Sequence, residues 1–185
     1  SIYTYSYSGK GFSPSATAPI NAGTYSVTVT VASDGNYNSA NSSETTFLID
    51  KQTPIVNITS DTYKYNGSPQ GPNAATNTGT GSSYTYSYSG TGGTSYGPSA
   101  TAPTDIGSYM VIATVAADGN YNSANSSSTS FSINIGTPVV TLTVGTYTYN
   151  ESPQGPNAAT NTGTGSSYTY IYSGADYGPS DAAPT

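Results

Sequence analysis

The chain has 185 residues, of which only 6% are charged, and it contains neither cysteine nor histidine. These absences exclude disulfide and thiolate-metal frameworks and remove the usual general base. Three lysines stand against nine carboxylates, and the net charge of −6 leaves no basic patch for nucleic acid or an anionic membrane face. We therefore expect no enzymatic activity, cofactor, metal site or nucleic-acid partner, and no direct membrane insertion of this segment.

Period-2 alternation of apolar and polar residues predicts strands from the amino terminus onward. The alternating residues of the first two strands are Tyr3, Tyr5 and Tyr7, followed by Tyr25, Val27, Val29 and Val31 on a face that we assign to the core. Phe47 and Ile49 alternate in the next strand, and residues 54–59 form another. No segment shows a sustained helical period, so the predicted fold class is all-β.

The same elements return 84 residues further along the chain. Residues 68–86 are repeated letter for letter at 152–170, and residues 34–43 at 118–127, which indicates a tandem array. Three segments follow: 1–52 is the C-terminal part of a preceding repeat, 53–136 is one complete repeat, and 137–185 is the N-terminal part of the following repeat. We name them the first, second and third copies, and we expect the chain to be a window from a longer polypeptide.

Turn signals separate the short strands, for example Asn66-Gly67 and Gly97-Pro98. The spacing predicts an immunoglobulin-like antiparallel β-sandwich of about seven strands per copy. The closing strand at 131–135 runs into Gly136-Thr137-Pro138 without a flexible spacer. We therefore predict a rod or filament in which every copy adds about 30–40 Å.

The two partial copies should expose unpaired sheet edges and half of an apolar face. Either the polypeptide continues, or another chain supplies the missing strands by strand addition and creates a head-to-tail filament. Residues 1–19 have a counterpart in residues 166–184, an excess that strict strand donation does not need. This favours the continuous chain.

One face of the central strand differs between copies. Ser26, Thr28 and Thr30 are polar, whereas the matching positions in the second copy include Met110 and Ile112. A solvated face should stay polar in both copies, so we predict that Met110 and Ile112 contact a neighbouring module or another chain.

Three further features have competing interpretations. The Asp-Gly-Asn-Tyr-Asn loops at Asp34 and Asp118 favour a tight turn over a calcium site, because each supplies only one carboxylate. The tyrosine alternations favour core packing over carbohydrate stacking, since the chain has no tryptophan. Candidate glycosylation sequons, which composition alone could also produce, occur at Asn41, Asn57, Asn66, Asn125 and Asn150.

Three short motifs recur together in the first two copies. They are Ala-Pro-x-x-x-Gly-(Thr/Ser)-Tyr-x-Val at 18–27 and 102–111, Asp-Gly-Asn-Tyr-Asn at Asp34 and Asp118, and Phe-x-Ile at Phe47 and Phe131. Across nearly the whole chain this pattern resembles the MBG-type immunoglobulin-like repeats of large bacterial surface proteins. The resemblance implies a secreted or surface-tethered stalk or fibre, and it carries no catalytic or binding residue to this chain.

We therefore predict an extracellular or cell-surface structural protein, a segment of a long fibre or adhesin stalk that provides length and rigidity. Its predicted partners are neighbouring repeats of the same or identical chains, with covalent or bound glycans as further candidates. The alternative is a repeated glycan- or surface-binding adhesion module that acts by avidity. Near-identical copies favour the structural role, because a binding array should vary the loops at one end of each module.

Overall fold

The computed structural model describes residues 2–185, and Ser1, the first residue of the predicted first copy, lies outside the described residues. The described part of the chain contains sixteen strands and no helix, and hence no helix that could cross a membrane. The strands of the first copy are β1 (Tyr3–Gly9), β2 (Phe12–Ser15), β3 (Gly23–Val31), β4 (Ala40–Asn41) and β5 (Thr45–Ile49). Those of the second copy are β6 (Val56–Ile58), β7 (Thr62–Lys64), β8 (Ala75–Asn77), β9 (Tyr84–Thr91), β10 (Gly107–Val115), β11 (Ala124–Asn125) and β12 (Thr129–Asn134). Those of the third copy are β13 (Val140–Thr143), β14 (Ala158–Asn161), β15 (Tyr172–Gly174) and β16 (Tyr177–Ser180).

The chain divides into two compact units, one ending at Asn134 and the other beginning at Ile135. The first unit holds a five-stranded sheet of order β2-β1-β3-β4, with β5 also on β3. It also holds a five-stranded sheet of order β11-β10-β12-β7, with β9 also on β10, and the two-stranded sheet β6-β8. The second unit holds the two-stranded sheets β13-β14 and β15-β16. The all-β prediction is confirmed.

One pairing departs from the expected antiparallel arrangement. After β6, the chain crosses at residues 59–61 to the edge of the five-stranded sheet and adds β7 parallel to β12. The N–H of Tyr65 extends this contact by donating to the carbonyl oxygen of Asn134 (2.8 Å). Because β7 and β12 are far apart in the sequence, no local sequence pattern predicts that they pair.

The core of the second copy lies on the face that the alternation predicts. The buried residues of β10 are Tyr109, Val111, Ala113 and Val115, and the solvent-exposed fraction of Val111 is 0%. Phe131 lies beside them, with its ring stacked on that of Tyr109 at a centroid distance of 5.4 Å. The two-stranded sheet packs on this face through Val56, which is 5% exposed.

The tyrosines of β9 take part in this core. The rings of Tyr86 and Tyr88 are stacked at 6.4 Å, and Tyr88 is buried. The Tyr88 hydroxyl donates to the carbonyl oxygen of Pro72 (2.8 Å), which satisfies its polar end away from water. Burial raises the pKa of Tyr88 because the phenolate loses solvation.

The first copy builds an equivalent sheet in the same register but without an opposing sheet among the described residues. Tyr25 pairs with Phe47 as Tyr109 pairs with Phe131. The apolar face is consequently open: Val27 and Val29 are only half-buried, and Tyr5 is 49% exposed.

The third copy repeats the opening strands of the second. Val140 pairs with Asn161 as Val56 pairs with Asn77, yet Val140 is 60% exposed. The tyrosine alternation of β9 is repeated at Tyr168, Tyr170 and Tyr172 and predicts a strand there, but the strand here begins only at Tyr172. The physical reason is that β9 is held as a strand by its hydrogen bonds to β10. Residues 137–185 contain no strand equivalent to β10.

Candidate functional site

A loop of the second copy, residues 118–122, lies where the first and second copies meet, and we name it the junction loop. Its shape is set by Asp118, whose Oδ1 accepts the N–H groups of Asn120 and Tyr121, each at 2.8 Å. The N–H of Asp118 in turn donates to the carbonyl oxygen of Tyr121 (3.0 Å). Asp and Asn favour such side-chain-capped turns, so the loop folds locally.

The junction loop is fixed to its own copy at two points. The Thr80 hydroxyl donates to Asp118 Oδ2 (2.6 Å), and the Tyr121 ring covers Gly79 so closely that a Cβ there would lie 2.9 Å from the ring. The hydrogen bond from Thr80, together with the N–H groups of Asn120 and Tyr121, holds the pKa of Asp118 below its usual value. These contacts therefore fix the position of the junction loop on the second copy.

The junction loop binds the linker, residues 51 and 52, which joins the first and second copies. The N–H of Gln52 donates to the carbonyl oxygen of Asn120 (3.0 Å), and the N–H of Asn122 donates to the carbonyl oxygen of Gln52 (2.8 Å). The Lys51 ammonium donates to the carbonyl oxygen of Asp118 (2.6 Å). Two of these three bonds join main-chain groups, so they do not depend on which side chains the linker carries.

The junction loop also reaches the body of the first copy. Asn120 Oδ1 accepts the N–H of Ala22 (2.9 Å), and Asn120 Nδ2 donates to Asn21 Oδ1 (3.1 Å). Asn21 is placed by the Tyr25 hydroxyl, which donates to its carbonyl oxygen (2.9 Å). One asparagine side chain thus bridges two copies.

The Gly-(Thr/Ser)-Tyr motif explains how this contact is positioned. The Tyr25 ring folds back over Gly23, where a Cβ would lie 3.2 Å from the hydroxyl, and Tyr109 covers Gly107 in the same way at 3.0 Å. Glycine leaves room for the ring, and the ring fixes the preceding loop. In the first copy, the motif therefore builds the corner that the second copy contacts.

The matching loop of the first copy, residues 34–38, has the same internal bonds. Asp34 Oδ1 accepts the N–H groups of Asn36 (2.8 Å) and Tyr37 (2.9 Å), and these bonds lower the pKa of Asp34. Tyr37 is 76% exposed, and within the described residues no hydrogen bond joins this loop to another segment. The loop shape is therefore preformed and does not require a neighbour.

These contacts support a turn at Asp118, because protein donors already engage both of its carboxylate oxygens. Across residues 2–185, no group of three or more His, Cys, Asp or Glu side chains is arranged to hold a metal ion. The loop serves as a structural connector in this arrangement.

The other predicted positions lie outside the junction loop. Met110 and Ile112 are half-buried on the outer face of β10, where Met110 Sδ accepts a hydrogen bond from the Ser128 hydroxyl (3.3 Å). Their contact with another module or chain stays a prediction. All five candidate glycosylation residues are exposed, and their modification also stays a prediction: Asn41, Asn57, Asn66, Asn125 and Asn150.

The substitution Asp118→Ala should loosen the linker while leaving the core intact. It removes the acceptor for two N–H groups and for Thr80, so the amide of Gln52 should exchange its hydrogen at least about tenfold faster. Hydrogen exchange resolved to this amide measures the effect.

The matched control is Asp34→Ala, which removes the same capping residue from the loop without a neighbour. It should leave exchange at Gln52 unchanged. Equal protection of Gln52 in both variants would show that the junction loop does not hold the linker.

Comparison with known proteins identifies the family of the chain. The family model described as the MBG domain matches residues 2–53 and 55–137, well over half of the chain. No curated protein and no solved structure matches the chain. The chain therefore belongs to the MBG domain family.

Proposed function

We propose that this chain is a structural, non-enzymatic segment of an extracellular fibre or stalk, built from tandem immunoglobulin-like modules in a rod. The observation that carries the proposal is the junction loop, which bonds both the linker and the preceding copy. A module that bonds to the preceding module at one end adds length to the fibre and keeps the joint between the two modules stiff.

The junction loop bonds the first copy at two separate places, and this restrains bending at the linker. The linker at Lys51 and Gln52 is held on one side of the loop, and the corner at Asn21 and Ala22 is held by the Asn120 side chain. Bending at the linker would break bonds at one of these places. A linker of a few residues with these constraints behaves as a hinge-free joint, unlike a Gly/Ser coil.

The sandwich assignment is supported by the second copy. Its seven strands comprise the sheet around β10 and the β6-β8 pair that packs on the inner face of that sheet. The Tyr109 hydroxyl donates to the carbonyl oxygen of Asp105 (2.8 Å), a corner similar to the tyrosine corner of immunoglobulin-like domains. We assign residues 53–136 to one module on these grounds, with 1–52 and 137–185 as parts of its neighbours.

The extracellular location is supported by family and composition. The MBG domain, as the sequence resemblance implies, is a repeat module of surface proteins. Repetition of one module with little variation provides length, whereas an active site needs to be built only once. The surface-exposed asparagine sequons are compatible with glycans on such a fibre.

Small-angle scattering tests the rod. Chains extended by one and by two further copies of residues 53–136 should lengthen almost linearly, by about 30–40 Å per copy. The reason is that each added copy brings its own junction loop. A maximum dimension that follows the square-root law of a flexible chain would contradict the proposal.

A Gly-Ser insertion between Asp50 and Lys51 provides the matched control, since it lengthens the linker and leaves both neighbouring sheets untouched. It should shift the scattering toward a bent, heterogeneous particle. If the insertion changes nothing, the joint was already flexible.

A further inference from the structure

One turn of the second copy presents an asparagine to the solvent directly before a glycine. Asn66 and Gly67 lie in the segment between β7 and β8, and both residues are exposed. Gly67 has a φ of +78°, and a Cβ built on it would meet no atom within 4 Å. We propose that Asn66 is a site of spontaneous deamidation, which converts its side-chain amide into a carboxylate.

The reaction needs only water as a co-reactant. The main-chain nitrogen of Gly67 loses its proton and attacks Cγ of Asn66. The new bond between this nitrogen and Cγ closes a succinimide ring, and the amide nitrogen Nδ2 leaves as ammonia. Water then opens the ring by attack on either carbonyl carbon. Attack on Cγ gives aspartate, whereas attack on the main-chain carbonyl carbon gives isoaspartate, in which the main chain runs through Cβ and Cγ.

The turn holds the reacting atoms in a suitable arrangement. Oδ1 of Asn66 accepts the N–H of Ser68 at 2.9 Å, so the side chain is folded back over the peptide bond that follows it. Cγ therefore lies beside the nitrogen of Gly67 that attacks it. The N–H of Ser68 also stabilises the negative charge that develops on Oδ1 in the tetrahedral intermediate, as the donors of an oxyanion hole do.

The attacking nitrogen is accessible. Among the described residues, the N–H of Gly67 donates to no main-chain acceptor, so no main-chain hydrogen bond has to break before the nitrogen reacts. Glycine has no side chain to obstruct the approach of this nitrogen to Cγ of Asn66. Its wide range of main-chain angles also allows the ring to close with little strain.

The third copy contains the same turn with one residue changed. Oδ1 of Asn150 accepts the N–H of Ser152 at 3.1 Å and a further hydrogen bond from Nε2 of Gln154, so this amide is also polarised by donors. The next residue is Glu151, which keeps the left-handed main chain with a φ of 61°. Its side chain hinders the attacking nitrogen, and its carboxylate disfavours the loss of a proton from that nitrogen. We therefore expect Asn150 to react more slowly than Asn66.

Deamidation and glycosylation of Asn66 would use the same atom. An N-linked glycan attaches to Nδ2 of the asparagine in a sequon, and Nδ2 is the atom that leaves as ammonia. A glycan on Asn66 would therefore prevent the reaction, and a deamidated residue 66 can no longer accept a glycan. The two modifications exclude each other at this position.

Isoaspartate at position 66 would lengthen the main chain between two fixed points. Before it, the N–H of Tyr65 donates to the carbonyl oxygen of Asn134 (2.8 Å), and after it, the N–H of Gln70 donates to the carbonyl oxygen of Pro103 (2.8 Å). Isoaspartate adds one methylene to the main chain between these two bonds. The product should therefore hold the edge strand β7 less firmly on β12, and it adds one negative charge to the net charge of −6.

Mass spectrometry of the full chain tests the proposal after incubation under native conditions, with an unincubated sample for comparison. Cleavage after tyrosine releases residues 66–84 and 150–168, which differ only in their second residue. Fragmentation of each peptide assigns the change from amide to acid to one asparagine. The rate at Asn66 should be at least about tenfold higher than the rate at Asn150, and isoaspartate should be among the products.

Two exchange variants separate the effect of glycine from that of position in the chain. Gly67→Glu should lower the rate at Asn66 at least about tenfold, and Glu151→Gly should raise the rate at Asn150 by a similar factor. The third copy already holds glutamate in this turn, so Gly67→Glu should keep the wild-type melting temperature. The rate at Asn73, which lies in the same peptide as Asn66, should not change in either variant.

The same rates measured in denaturant test the contribution of the turn. The native chain should react at Asn66 at least as fast as the denatured chain, because the fold holds the side chain in the reacting arrangement. Equal rates at Asn66 and Asn150 in the native chain would overturn the proposal. A rate at Asn66 that rises on unfolding would also overturn it, because the turn would then protect the amide.

Discussion

The substitution Val111→Asp is expected to unfold the second copy. Val111 lies at the centre of β10 with no exposed surface, between Tyr109 and Ala113 and in one cluster with Phe131. A carboxylate there loses its hydration without gaining a partner, which costs several kcal/mol and approaches the whole stability of a small domain. Thermal unfolding followed by circular dichroism measures the loss, and hydrogen exchange assigns it to residues 84–134.

Two further variants test the assignment of faces. Ser108→Asp places the same charge on the exposed outer face of β10 and should change stability by less than about 0.5 kcal/mol. Val27→Asp, at the half-buried equivalent position of the first copy, should cost less than Val111→Asp. A wild-type melting temperature for Val111→Asp would mean that the inner and outer faces are exchanged.

The substitution Gly90→Ala is expected to have the second largest effect. A Cβ at Gly90 would lie 2.0 Å from the carbonyl oxygen of Thr94 and 3.0 Å from the nitrogen of Tyr96. These are main-chain atoms, and the N–H of Gly90 donates to the carbonyl oxygen of Tyr96 (2.8 Å), so the two segments cannot separate without losing that bond. We expect a loss of about 1–3 kcal/mol or more, measured as a lower melting temperature.

The third copy offers the matched control. Gly174 stands at the position equivalent to Gly90, but a Cβ there would meet its nearest neighbour, Tyr177 Cβ, at an ordinary 3.7 Å. Gly174→Ala should therefore be nearly neutral. Similar losses of stability for both variants would show that the close approach of the Thr94 main chain is not the reason why glycine is needed at this position.

The sequence predicts the strand faces well because alternation is a local property. Tyr109, Val111 and Val115 are buried as their period-2 spacing requires, and the turn at Asp118 follows from the residue types of its loop. These features need no knowledge of distant partners. They are also the features that the copies share.

Features that depend on distant partners could not be read in this way. The parallel pairing of β7 with β12 and the absence of a strand at Tyr168 depend on which segment lies alongside. The contact of Ala22 with Asn120 joins residues 98 positions apart. The only sequence signal for this contact is that residues 34–38 and 118–122 have the same sequence. That repetition does not show which residues the loop contacts.

The main-chain character of the linker contact bears on how freely the linker sequence can vary. The linker reads Lys51-Gln52 before the second copy and Ile135-Gly136 before the third, whereas the loop at 118–122 repeats the one at 34–38. The two main-chain bonds of Gln52 place no demand on its side chain, whereas the bonds of Lys51 and of Asn120 with Asn21 depend on side chains of the preceding copy. Substitution of Gln52 is therefore tolerated more readily at this joint than substitution of Asn21 or Asn120.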